Sequence, residues 1–166
     1  MAAALRGGAR WLSLREKDLD HAERVALLAA MVDLGHRHGA AVTVHGDIEA
    51  ALEAGADGVH LPSEGSPTQA RNRLGDRALI GLSVHSGAEA ASVDKAVDYV
   101  TLSPIYPTPS KPGYGPALGP AGVSGAVATA KVPIVALGGI GARNASDCLA
   151  SGAAAVAVMG GVMAAA

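Results

Sequence analysis

Short apolar runs and helix-like segments alternate along the whole chain, and this restricts the fold more than any other feature of the sequence. Residues 11–14, 41–44, 58–61, 79–84, 99–102, 133–137 and 154–159 read as strands. Residues 20–38, 47–54, 68–74, 87–96, 121–130 and 143–151 read as helices between them. In the first helix Val25, Leu28, Met31, Val32 and Gly35 fall on one face at i, i+3, i+4 spacing. Asp20 suits its N-cap and Gly39 its C′ position. Strict alternation means βα units and a parallel sheet. Strands of that kind are covered on both faces and so read as continuous apolar runs.

A weak repeat, Gly-Ala-Asp-Gly-Val at 55–59 and Gly-Ala-Ala-Ala-Val at 152–156, places a glycine between a helix end and the next strand. Repeated units favour a (β/α)8 TIM-type barrel over an open sheet. A complete barrel needs at least ~200 residues, and this chain has 166. The expectation is one barrel domain over residues 1–166, truncated at its N-terminus. It lacks the first βα unit and most of the last helix, and residues 2–8 are the tail of the helix before the first strand.

Composition narrows the class. Charged residues make up 17%, against about 25% in an average soluble domain. The 22 glycines are roughly twice the usual share. Apolar content of 49% and a net charge of −2 exclude disorder. One cysteine, Cys148, excludes a disulfide scaffold and suits a reducing compartment. With no basic excess, no Phe, one Trp and three Tyr, a nucleic-acid partner is not expected. No apolar run is long enough to span a membrane. No secretory leader is visible, and a cytoplasmic protein is expected.

In a parallel barrel the loops after the strands build the site. Arg15-Glu16-Lys17 follows the first strand, and alternate residues of an extended segment can reach one anion. His45-Gly46-Asp47 follows the second, where Asp47 reads first as a helix cap and otherwise as a metal ligand or base. His60 and Glu64 follow the third; His60 reads as a barrel-lining histidine before a ligand. Ser83 and His85 close the fourth, where a hydroxyl suits phosphate or a cap equally. The longest loop, residues 104–119, carries Thr108, Ser110 and Lys111 between prolines that limit its freedom. Gly138-Gly139 and Gly160-Gly161 end the last two strands, where backbone N–H groups can approach a phosphate without a Cβ in the way. Zinc spacings, a Walker-type loop and a nucleophile elbow are all absent. The residues alone describe a small barrel that binds phosphate or diphosphate.

The ordered set of Leu14-Arg15-Glu16-Lys17, residues 56–61, Gly81-Leu82-Ser83-Val84-His85-Ser86, Asp98-Tyr99, residues 103–111, Ala136-Leu137-Gly138-Gly139-Ile140 and Val156-Ala157-Val158-Met159 resembles the thiamine phosphate synthase / TenI family. The likeness covers residues 4–163. It implies a (β/α)8 barrel. It implies one of two activities: joining hydroxymethylpyrimidine diphosphate to thiazole phosphate with release of diphosphate, which needs Mg2+, or metal-free tautomerisation of a thiazole phosphate carboxylate. Carried over by position, Arg15 and Lys17 match diphosphate-binding residues. Ser83, Thr108, Ser110 and Lys111 match diphosphate or pyrimidine contacts. Gly138, Gly139 and Gly160 match the thiazole phosphate site. Arg15, Lys17, Ser83 and Lys111 are therefore the catalytic set the resemblance implies.

Three departures stand out. Ser13 replaces a Gln two residues before the Arg. His45-Gly46 replaces an Asn-Asp pair, with Asp47 one residue later. Gly65 replaces a second Asp, with Glu64 beside it. The two missing Asp residues are the family's Mg2+ ligands, so Asp47 and Glu64 are the substitutes to test. The tautomerase's catalytic histidine corresponds to Pro104 here, which leaves His45, His60 or His85 as its base. A transferase, a TenI-like tautomerase and a non-catalytic thiazole phosphate binder all remain open. The exposed strand edges of a shortened barrel would favour a homo-oligomer.

Overall fold

A computed structural model describes residues 1–108 and 115–163 of the chain. The described residues form seven strands and eight helices: α1 (Ala2–Arg6), β1 (Trp11–Leu14), α2 (His21–Arg37), β2 (Ala41–His45), α3 (Ile48–Ala54), β3 (Gly58–Leu61), α4 (Pro67–Leu74), β4 (Leu79–Val84), α5 (Gly87–Ala91), β5 (Tyr99–Leu102), α6 (Gly119–Val127), β6 (Ile134–Leu137), α7 (Ala145–Ala150), β7 (Ala155–Ala157) and α8 (Gly160–Met163). The chain divides into two compact units, Met1–Gly81 and Leu82–Ala166.

In the first unit β1 pairs parallel with β2, and β2 with β3. The register matches Ser13 to Thr43, Thr43 to Gly58 and His45 to His60. Period-2 alternation then sorts the side chains. Val42, Val44, Val59 and Leu61 share one face and are buried. The helix α2 covers that face. A Cβ added at Gly35 would lie 2.5 Å from Val42 Cγ2, so only glycine lets helix and strand approach this closely. Leu28, Met31 and Val32 complete the buried face of α2. Trp11, Ser13, Thr43, His45 and His60 lie on the opposite face of the strands.

Helix α2 starts as its sequence directs. Asp20 accepts the Glu23 N–H at 2.9 Å, and Glu23 accepts the Asp20 N–H at 3.2 Å, a reciprocal capping box. Gly39 follows the helix at φ +64°.

In the second unit β5 pairs parallel with β6, and β6 with β7, matching Leu137 to Ala157. Val100, Leu102, Ile134 and Ala136 form the buried face. Several boundaries differ from expectation here. α5 ends at Ala91 rather than at residue 96, because Ser92 and Asp94 bond locally and compete with the helix. Ser92 Oγ donates to Glu89 C=O at 3.1 Å, and Asp94 Oδ1 accepts the Ala96 N–H at 2.7 Å. α6 begins two residues early, with Pro120 in its first turn. It ends at Val127, where the N–H groups of Thr129 and Ala130 both bond to Ala126 C=O. α7 covers only Ala145–Ala150, and β7 only three residues.

Candidate functional site

In the first unit the turns after β1, β2 and β3 bring together charged and imidazole groups. Arg15 and Lys17 follow β1 and are exposed. Glu16 holds the segment between them: its Oε1 accepts the N–H of Lys17 at 2.9 Å and of Asp18 at 3.2 Å. Lys17 lines an open recess of about 700 Å3 together with Arg24, His45, Gly46 and Asp47. Arg15 is not part of that lining.

Asp47 is fully engaged. Its Oδ1 accepts the Ala50 N–H at 2.9 Å as the N-cap of α3, and its Oδ2 lies 2.7 Å from Arg24 Nη1. Burial alone would raise its pKa. The Ala50 N–H, the Arg24 guanidinium and nearby His21 outweigh that and hold the carboxyl below its usual value. Arg24 also donates from Nη2 to Leu19 C=O at 2.7 Å, and its Nε is buried without an acceptor among the described residues. Glu64 is exposed, and its Oε2 accepts Ser63 Oγ at 2.9 Å. Among the described residues no three His, Cys, Asp or Glu side chains gather around one point that could hold a metal ion.

The strand face opposite α2 is polar where the α2-covered face is apolar. Trp11 Nε1 donates to the buried Thr43 hydroxyl at 3.1 Å. Beyond Thr43 the imidazoles of His45 and His60 lie 5.5 Å apart, tilted by 39°. His60 is 6% exposed. Burial first, and then the neighbouring His45, push its pKa down to about 4. It is a neutral group near pH 7.

In the second unit Ser83 is half-buried, on the face of β4 opposite the buried Leu82 and Val84. His85 follows, with Nδ1 2.9 Å from Ser103 C=O. A carbonyl only accepts, so Nδ1 carries the proton and Nε2 is the basic nitrogen of the neutral ring. Thr108 is half-buried at the end of the described segment. Ser110 and Lys111 lie outside the described residues.

The turn after β6 is tightly held. Gly138 and Gly139 stand at φ +98° and +64°. A Cβ on Gly138 would lie 2.9 Å from Pro104 Cα, and one on Gly139 2.6 Å from Pro107 O. Ile105 N–H donates to Leu137 C=O, and Tyr106 N–H to Gly138 C=O. Tyr106 Oη is buried with no acceptor among the described residues, and burial, with Cys148 beside it, raises its pKa. Gly160 is exposed and opens α8 after β7. Because β6 and β7 end in register, the two glycine turns follow adjacent strand ends.

Sequence reasoning missed two residues. Arg24 sits near the positive end of α2, where a cation is disfavoured, and that oddity is its only local sign. Asn144 follows the Gly138-Gly139 turn at a helix start, where it reads as an ordinary cap.

A family described as thiamine monophosphate synthase matches residues 1–162. A putative thiamine-phosphate synthase of Geobacter sulfurreducens is 45% identical over 97% of this chain and 76% of its own length. A thiamine-phosphate synthase of Thioalkalivibrio sulfidiphilus is 42% identical over 98% of this chain and 78% of its own. The solved thiamine phosphate pyrophosphorylase of Pyrococcus furiosus superposes with a TM-score of 0.87 at 30% identity, covering 98% of this chain and 78% of that one.

Proposed function

The chain belongs to the thiamine monophosphate synthase family, and from that premise we propose that it is a transferase of thiamine biosynthesis. It joins hydroxymethylpyrimidine diphosphate to thiazole phosphate. The bond from the pyrimidine's methylene carbon to diphosphate breaks, the thiazole nitrogen bonds to that carbon, and diphosphate leaves. Negative charge grows on the leaving group, so fixed cations beside it lower the barrier. The observation that carries this reading is the Arg15/Lys17 pair. Both cations are exposed at the end of β1, and neither has a side-chain partner among the described residues. Gly138, Gly139 and Gly160 are the proposed cradle for the thiazole phosphate. Ser83, Thr108, Ser110 and Lys111 remain proposed contacts of the pyrimidine or diphosphate.

The Mg2+ that the resemblance implies does not fit the donor set. Asp47 is committed to a helix cap and to Arg24, and Glu64 is exposed beside Ser63. Mg2+ asks for near-ideal octahedral oxygen geometry. The charge neutralisation proposed here therefore rests on the side-chain cations.

One observation favours a second reading. The Ser103 carbonyl holds His85 with Nε2 as its basic nitrogen, the form a metal-free tautomerase of TenI type would need. No helix among the described residues is long and apolar enough to cross a membrane, and the proposed partners are small phosphorylated heterocycles.

The test supplies the purified chain with both substrates and follows diphosphate release with Mg2+ and with chelator. Release is the expected result. Release abolished by chelator would restore a metal to the scheme. Binding of thiazole phosphate without any turnover would leave only the binder.

A further inference from the structure

Asn144 stands at the N-cap position of α7, yet its side chain makes no capping bond to that helix. It turns back instead. Its Oδ1 accepts the Gly141 N–H at 2.8 Å, and its Nδ2 donates to Gly139 C=O at 3.1 Å. Its own N–H bonds to Gly141 C=O at 3.2 Å and closes the same loop. One side chain therefore ties two points of the turn that follows β6. Only a group that donates and accepts at once can do so, as a carboxamide does.

The other flank of the turn is fixed by the loop after β5, where Tyr106 N–H takes up Gly138 C=O at 2.9 Å. The carbonyls of Gly138 and Gly139 are thus both bonded to protein donors. Among the described residues the N–H groups of Gly139 and Ile140 have no acceptor. Successive N–H groups left over in this way form a concave anion site. The left-handed φ of Gly139, followed by an Ile140 that is not left-handed, is a backbone form that allows it.

We propose that Asn144 is the positioning residue of a phosphate-monoester cradle: its carboxamide fixes Gly139 and Gly141 so that the N–H groups of Gly139 and Ile140 meet the phosphate oxygens. The proposal rests on the assignment of this turn to thiazole phosphate under Proposed function. Asn144 touches no substrate and acts through the backbone.

The experiment titrates thiazole phosphate, and the same thiazole with a free hydroxyl in place of phosphate, into the wild-type chain and into Asn144→Ala and Asn144→Ser. Serine is a preferred N-cap but too short to span both bonds. It keeps the test open if the alanine variant does not fold. The wild type is expected to prefer the phosphate ester. Each folded variant is expected to lose about tenfold of ester affinity, the scale of two lost hydrogen bonds. Affinity for the alcohol stays the same. In turnover, KM for thiazole phosphate rises by the same factor, while kcat stays within about twofold. Unchanged ester affinity in the variants overturns the role of Asn144 and leaves the proposed function standing. Equal loss for ester and alcohol also overturns it, because a general loss of structure would do that. A wild type that does not prefer the ester overturns the assignment of the turn itself.

Discussion

Protonating His60 inside the first unit would put a charge where water scarcely reaches. The folded chain binds that proton only near pH 4, whereas the unfolded chain binds it near 6.5. Between those values the unfolded state holds more protons, so stability falls as the pH falls. The contribution is complete above about pH 6.5 and shrinks through pH 4, by about 3 kcal/mol in all. Urea midpoints recorded from pH 7 to 5 should drop, and His60→Gln should flatten that slope; an equally steep slope in the variant would assign the effect to other groups. Gly46 offers a second test at this scale. A Cβ there has open space, with only Pro62 Cδ at 4.0 Å, whereas one on Gly65 would strike Leu61 Cβ at 2.8 Å. Gly46 has φ +75°, a region that Asp tolerates better than most residues. Gly46→Asp is thus the better way to return a carboxylate to the recess, and it should raise the dependence of diphosphate release on Mg2+. A flat response would count against the argument from the donor set. Asp47 was readable from sequence as a cap because capping is local. Its pairing with Arg24, 23 residues away, was not, because no spacing rule reaches that far.

Elements were legible where local chemistry sets both ends. α2 has a capping box at one end and a left-handed glycine after the other, and its span matched expectation to a residue. α5 did not, since the apolar pattern ran on past Ser92 and the competing side-chain bonds of Ser92 and Asp94 ended the helix first. α6 and α7 also stop short of expectation, at Val127 and Ala150. The contact between α2 and β2 carries its own prediction. Gly35→Ala places a methyl group against Val42 Cγ2 and should cost about 1–3 kcal/mol. Chemical denaturation would measure it, and a cost near zero would mean that helix and strand separate freely.

On the scale of the whole molecule, the alternation of strand and helix was legible because parallel strands covered on both faces write themselves as apolar runs. The division into Met1–Gly81 and Leu82–Ala166 left no trace, because no linker or change of composition accompanies it and only contacts define it. Net charge was equally uninformative. A value of −2 says nothing of the exposed Arg15 and Lys17 that follow β1. The chain's one tryptophan is also placed with consequence. Trp11 keeps its indole N–H on Thr43, on the strand face that also carries His45. A chain without phenylalanine and with three tyrosines therefore has a single dominant fluorophore at a known address. Its emission colour and quenching make the first unit its own optical sensor, able to register ligand arrival on that face without any label.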